Sequence, residues 1–286
     1  MRIYRKIAGT ALATFGAIAI SSSIAMADAD DNVLMINGDK ISTKVAAPKG
    51  SPIDELISGW HFALSETQEM QADDFDNPAW SAIEQGAEQW STVTGSEGKS
   101  CATCHDKAED TMKGVRASMP KWKESLNKPI TLEQQINECR TDRMGAKKVK
   151  FDSSFMLAMS SYVGLQSRGM PVKVQTDGPM AEWNEKGKKI YYTRVGQLDM
   201  SCSNCHEDNF GNYIRANHLS QGQTNGFPVF RLKWQKLGSV HRRFKGCMKN
   251  IRAKPYKVGS DEFVALELYV ASRGQGMAVE TPAVRN

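Results

Sequence analysis

Apolar residues in this chain recur mostly at helical rather than strand-like spacing. Ile53, Leu56, Ile57, Trp60 and Leu64 fall on one helical face and predict an amphipathic helix over 53–70. Asp76-Asn77-Pro78 predicts a helix start with proline near the first turn. Two further apolar runs, Met156–Tyr162 and Phe263–Tyr269, predict buried helices late in each half of the chain. Strand signals are weak. Residues 28–50 begin acidic, at Asp28, Asp30 and Asp31, and end in Ala-Pro-Lys-Gly, which predicts an extended arm with little core of its own. Val172–Gln175 reads as a linker and Asp177-Gly178-Pro179 as a turn.

The same pattern is written twice. Gly86 precedes Cys101 by 15 residues, and Gly187 precedes Cys202 by the same 15. Trp80 and Trp183 each open the helical stretch ahead of those cysteines, and Gly95 and Gly196 each lie six before them. Cys139 and Cys247 are matched at an offset of 108, and Met156–Tyr162 matches Phe263–Tyr269 at 107. The offset therefore grows by about seven residues past the first cysteines, and the polar loop Gln221–Pro228 is the expected place for them.

Chemistry enters with Cys101-Ala102-Thr103-Cys104-His105 and Cys202-Ser203-Asn204-Cys205-His206. Each is a C-x-x-C-H, the spacing of a c-type haem attachment site. Two thiols on one helical turn add to the haem vinyl groups, and the following histidine faces the iron. A redox C-x-x-C or half of a zinc site would explain one copy, but not both. The expected fold is all-α: two tandem, duplicated cytochrome c-type haem domains behind an N-terminal arm. The boundaries are 1–27 for a signal peptide, 28–77 for the arm, 78–174 for domain 1 and 175–286 for domain 2. Two covalently bound haem c groups are implied.

The chain opens with Arg2, Arg5 and Lys6, an uncharged run from Ile7 to Ile20, and Ala25-Met26-Ala27. That order predicts a Sec-type signal peptide cleaved after Ala27, and hence a periplasmic protein without a membrane anchor. Removing it takes the formal charge from +5 to +2, so neither nucleic acid nor an acidic membrane is implied as a partner. Of six cysteines, four belong to the haem motifs, leaving Cys139 and Cys247.

Those two occupy matching places, and thiolate is a known haem ligand. A Cys139–Cys247 disulfide is the alternative and would need the two Cα atoms within about 7 Å. Met170 and Met277 also match, but both follow glycine at a helix end, where packing explains them. His218 and His241 lie only in the second half, and His61 reads as a surface or packed residue. Around Cys139 acids and bases balance. From His241 to Lys257 there are seven basic residues and no acid, with Arg243 four residues before Cys247. Nearby cations favour a thiolate and attract a small dianion. Gln135, the counterpart of Arg243, is neutral.

At Arg243-Phe244-Lys245-Gly246-Cys247-Met248, following two C-x-x-C-H sites, the chain resembles the SoxA family. These are dihaem subunits of the SoxAX cytochrome c complexes of bacterial thiosulfate oxidation. The resemblance implies axial pairs His105/Cys139 and His206/Cys247, a persulfide on Cys247, and thiosulfate held by Arg243. It implies oxidative joining of thiosulfate to a cysteine of the carrier SoxYZ. A SoxX-type monohaem cytochrome c subunit and a small electron-acceptor cytochrome c are the other implied partners. An electron-transfer dihaem cytochrome without sulfur chemistry, a tetrathionate-forming thiosulfate dehydrogenase and a dihaem peroxidase are the competing readings.

Overall fold

The computed structural model describes residues 32–286. The frame is two helix pairs. Helix α1 (Ser65–Ala72) lies ahead of α2 (Trp80–Ser91), α3 (Cys101–His105), α4 (Ala108–Thr111), α5 (Leu132–Glu138) and α6 (Ser154–Leu165). The later set is α7 (Ala181–Tyr192), α8 (Cys202–His206), α9 (Val240–Asn250) and α10 (Asp261–Arg273). Helix α2 packs along α6, and α7 packs along α10. Both crossings are set by glycine. A Cβ on Gly86 would stand 2.5 Å from the Ala158 carbonyl and 2.6 Å from Tyr162 Cβ. A Cβ on Gly187 would stand 2.0 Å from the Ala265 carbonyl and 2.7 Å from Tyr269 Cβ. The glycines and tyrosines that repeat in the sequence are thus partners across one close helix contact, made twice.

The haem-motif helices α3 and α8 are one turn long and start alike. Ser100 and Thr103 form a reciprocal cap, as do Ser201 and Asn204. Helices α5 and α9 start on Thr131 and Ser239, whose hydroxyls accept from the main chain of Gln134 and Arg242. Helix α5 runs straight into a π-helical turn, Cys139–Arg143, so Cys139 sits where the winding changes.

Helices dominate, as expected, but the described residues also hold five small sheets. They comprise β1 (Val33–Ile36) with β2 (Asp39–Ser42), β3 (Lys44–Ala46) with β4 (Glu55–Ile57), and β5 (Lys121–Lys123) with β6 (Lys128–Ile130). The others are β7 (Tyr213–Ile214) with β8 (Asn217–His218), and β10 (Lys236–Gly238), β9 (Val229–Arg231) and β11 (Ala283–Arg285) in that order. Strands this short leave almost no alternation for a sequence pattern to show.

Several local expectations are corrected. The helix predicted over 53–70 forms only from Ser65. Leu56 and Ile57 instead lie in β4, paired with β3, and Trp60 lies in a 3-10 turn capped by Ser58. Leu56 is fully buried, so its apolar spacing reflects burial in a strand rather than a helical face. The arm does have a core: Leu34, Ile36 and Ile41 pack with Ala278 from the far end of the chain. The extra residues of the second half lie between the haem motif and Pro228. The matching cis bonds Met119-Pro120 and Phe227-Pro228 already stand at the full offset. The β7–β8 hairpin occupies the interval where the first half has α4. The signal peptide, 1–27, lies outside the described residues.

The two halves are clasped together. Val172 and Val174, read as linker, are buried with Met180, Leu268 and Val279. Main-chain bonds run from Gly169 N–H to Val279 and from Val279 N–H back to Met170, both at 2.9 Å. Val172 N–H donates to Met277 at 2.8 Å, so the matched Gly-Met segments pair with each other. Met277 is wholly buried, which accounts for it as packing. Lys128 pairs with Asp261 at 2.9 Å, and Asp152 accepts from the Ser239 N–H at 3.0 Å. Among the described residues no helix is long and apolar enough to cross a membrane.

Candidate functional site

Helix α9 brings the second-half residues together. Arg243 and Cys247 fall four residues apart on a continuous helix, hence on one face. That face meets α8. Cys247 faces His206 and acts electrostatically on both Cys202 and Cys205. Burial alone would push the Cys247 thiol up. The Arg243 guanidinium, His206 and the Arg231 guanidinium outweigh it and bring the thiol down from 9.0 to about 6. Arg231, at the end of β9, was not singled out in the sequence because it lies 16 residues from Cys247.

The imidazole of His206 is fixed from behind. Its Nδ1 is 2.7 Å from the Ser220 carbonyl oxygen, an acceptor only, so Nδ1 carries the proton. Nε2 is left with its lone pair toward the Cys247 side, the form in which histidine serves as a ligand. Gly222, at φ +79°, lies close to the ring: a Cβ there would stand 2.8 Å from the imidazole Cγ and Nδ1. Cys202 is the more enclosed of the two motif thiols. Burial, with Cys247 adding to it, pushes it to about 12. Beside it, Tyr191 Oη and Arg273 Nε are buried without a partner among the described residues. These are donors of the kind haem carboxylates take.

The first-half site is built from the same parts and is plainer. Cys139 and Cys101 act on each other, and burial together with Cys139 raises the Cys101 thiol to about 11. Cys139 receives a 3.5 Å contact from Gln135 Nε2 where the second half offers a guanidinium. His105 and Cys104 are exposed, and His105 lies against the Trp90 ring at 5.9 Å between centroids. Trp90 Nε1 donates to the Asp106 carbonyl at 2.8 Å, closing the motif onto α2.

All six cysteines are free thiols, so Cys139 and Cys247 are not bridged. Among the described residues no three His, Cys, Asp or Glu side chains converge to hold a bare metal ion, so the zinc alternative finds no further ligands. The remaining histidines have other occupations. His61 Nε2 is 2.8 Å from the Thr43 hydroxyl, His218 stacks on Tyr213, and His241 is buried against Glu267.

Two vinyl-reactive thiols, an imidazole with a free Nε2 and a facing cysteine fit haem c, and the fold and site are those of a c-type cytochrome. The comparisons specify it further. The family model described as SoxA/TsdA, cytochrome c domain, matches residues 85–172 and 186–279. The chain belongs to this family and carries covalently bound haem c. It is 49% identical, over the whole of both chains, to the L-cysteine S-thiosulfotransferase subunit SoxA of Pseudaminobacter salicylatoxidans. It is 50% identical to the protein of that name in Rhodovulum sulfidophilum, over 93% of each. The crystal structure of SoxXA from P. pantotrophus superposes with a TM-score of 0.85 at 48% identity, covering 90% of this chain and 99% of that one.

Proposed function

We propose that this chain is the catalytic subunit of an L-cysteine S-thiosulfotransferase, and that it joins thiosulfate oxidatively to a cysteine of a carrier protein. One observation carries the reading beyond the family name. Cys247 faces the second C-x-x-C-H histidine and is lowered by the Arg243 and Arg231 guanidiniums, whereas the residue matching Arg243 beside Cys139 is the amide of Gln135. The balanced reaction takes a carrier thiolate and thiosulfate to a cysteine S-thiosulfonate with release of two electrons. Bound haem c supplies one-electron acceptors through which these leave. The chain's own residues do the rest. Arg243 holds the sulfonate oxygens by charge-assisted hydrogen bonds. Cys247 carries the sulfur, as a persulfide, that receives thiosulfate and hands it to the carrier thiol.

The domains proposed are tandem duplicated cytochrome c units at 78–174 and 175–286, behind the arm at 28–77. The two matches of the family model and the two glycine-set helix crossings support this division. Two haems follow, and His105 with Cys139, and His206 with Cys247, are the side chains that would hold their irons. A SoxX-type monohaem subunit, a SoxYZ carrier and a small acceptor cytochrome are the partners, in the periplasm. The similarity to the SoxXA crystal structure supports the first of these.

Cys247→Ala tests the reading. Thiosulfate-dependent modification of the carrier is expected to vanish while both motifs keep their haem by in-gel haem staining. Full turnover in that variant sinks the assignment. Free tetrathionate formed without any carrier would instead favour a thiosulfate dehydrogenase. Arg243→Ala is expected to weaken thiosulfate use by about tenfold or more, the worth of a charge-assisted pair.

A further inference from the structure

Glu133 and His241 occupy the same step of the repeat. They are 108 residues apart, the offset that also relates Cys139 to Cys247 and the helix caps Thr131 and Ser239. Each stands six residues before the cysteine of its own half, about 9 Å along the helix at ~1.5 Å per residue. The two helix starts converge on one residue. Gln134 Nε2, next to Glu133, donates to the Gly259 carbonyl at 3.2 Å, and the Gly259 N–H donates to His241 Nδ1 at 3.1 Å. His241 Nε2 stands 3.1 Å from Glu267 Oε2, and Arg116 Nη1 is 3.3 Å from Glu267 Oε1. Glu133 is 4% exposed, Glu267 1% and His241 not at all, so all three are shut off from bulk solvent. Glu133 Oε2 has no hydrogen-bond partner among the described residues. Lys128 and Asp261, further charges at this seam, pair with each other at 2.9 Å, and Asp152 accepts the Ser239 N–H at 3.0 Å. Two buried carboxyls are thus left to share one fixed cation, Arg116.

We propose that Glu133, His241 and Glu267 form a redox-linked proton site, which binds one proton when an electron arrives at the haem motifs and releases it when the electron leaves. With both carboxyls ionised and the imidazole uncharged, the buried cluster carries a net negative charge, and one proton cancels it. Two carboxylates in one dry place do not both ionise without cost. The proton comes from solvent and forms an O–H bond on Glu133, and no bond within the cluster is oxidised or reduced. An electron added near the far end of α5 or α9 acts through space and raises the affinity of the cluster for that proton. The two carboxyls are already pushed apart. Burial, then the Glu267 charge, raises Glu133 despite Arg116, whereas burial of Glu267 is outweighed by His241 and Arg116. Glu133 is therefore the group that takes the proton. The proposal needs haem c at the two motifs but not the thiosulfate chemistry, so the two can fail separately.

The test is a redox titration of the holoprotein with its haem-bearing partner subunit, at a series of pH values and without thiosulfate or carrier. Electron paramagnetic resonance separates the sites. Protonation favours the reduced form, so the parent's midpoint potential is expected to fall as pH rises through the raised Glu133 carboxyl. Glu133→Gln mimics the protonated form. Its slope should be lost, with the potential staying near the parent's low-pH value throughout. Glu133→Met, of similar volume and also without a carboxyl, decides the matter if the glutamine variant does not accumulate as holoprotein. Reduced-minus-oxidised infrared spectra give a reading that a merely structural role would not move. The C=O stretch of a protonated carboxyl should grow on reduction of the parent and be missing from both variants. A parent potential independent of pH overturns the proposal. So does a slope kept unchanged in the variants, which assigns the proton to the haem carboxylates instead.

Discussion

His241 Nε2 lies 3.1 Å from Glu267 Oε2, and His241 Nδ1 accepts the main-chain N–H of Gly259 at 3.1 Å. The ring therefore accepts on one side and sets Nε2 against a carboxylate on the other. Arg116, from the first half, reaches the other oxygen of Glu267 at 3.3 Å, and all three side chains are buried. Burial alone would raise the Glu267 carboxyl, but the hydrogen bond from His241 and the Arg116 charge hold it below its usual range. Glu267→Gln leaves Arg116 buried without this partner. It is expected to cost about 3 kcal/mol, the usual price of breaking a buried pair. Urea unfolding of the holoprotein measures it.

Glu133 belongs to the same cluster but responds oppositely. Burial, then the Glu267 charge, raises its carboxyl despite Arg116, and its Oε2 has no partner. A carboxyl raised on folding binds more protons in the native state, so stability declines as pH climbs from the unfolded value toward the folded one. Glu133→Gln mimics the protonated form. It should change little near pH 4.5 and stabilise the protein near pH 8 by about 1 kcal/mol. Thermal unfolding of parent and variant at the two pH values checks this; equal shifts at both would rule it out.

The crossings at Gly86 and Gly187 leave no room for a methyl group. Alanine at either position must push two helices apart or bend one of them, since the nearest atoms are main-chain carbonyls. Overpacking of this kind costs about 1–3 kcal/mol, and more where backbone is met. Gly187→Ala is expected to lower the melting temperature at least as much as Gly86→Ala, because its contact is closer, at 2.0 against 2.5 Å. Circular dichroism melts of the two variants give the comparison.

The parts that were legible in the sequence are those whose physics is local or repeated. C-x-x-C-H fixes its own one-turn helix, and the repeat of Gly86 in Gly187 reports a contact that must be made twice. Arg243 and Cys247 could be placed on one face because four residues is a helical turn. What stayed hidden came from pairing at long range. Leu56 and Ile57 look helical by spacing, yet β3 claims them as a strand. The arm seemed coreless because its partner, Ala278, lies near the other end of the chain. Arg231 and the Arg116–Glu267–His241 cluster draw on segments that no periodicity connects.

Gly222 offers a way to disturb one iron ligand without removing any donor. It leaves room for the His206 ring, while the carbonyl of Ser220, two residues earlier, accepts the Nδ1–H hydrogen bond. A methyl group at position 222 would meet the ring at 2.8 Å, and the residue's φ of +79° is itself unfavourable for alanine. Gly222→Ala should therefore turn or shift the imidazole and weaken the carbonyl bond that fixes its tautomer. Cys202 and Cys205 are untouched, so covalent haem should be retained by in-gel staining. The low-spin ferric signal of the second site in electron paramagnetic resonance is expected to shift or broaden. That of the first site, against whose His105 none of the described glycines is placed in this way, should stay as in the parent. Two unchanged signals would show that the Ser220–Gly222 loop does not control the ligand.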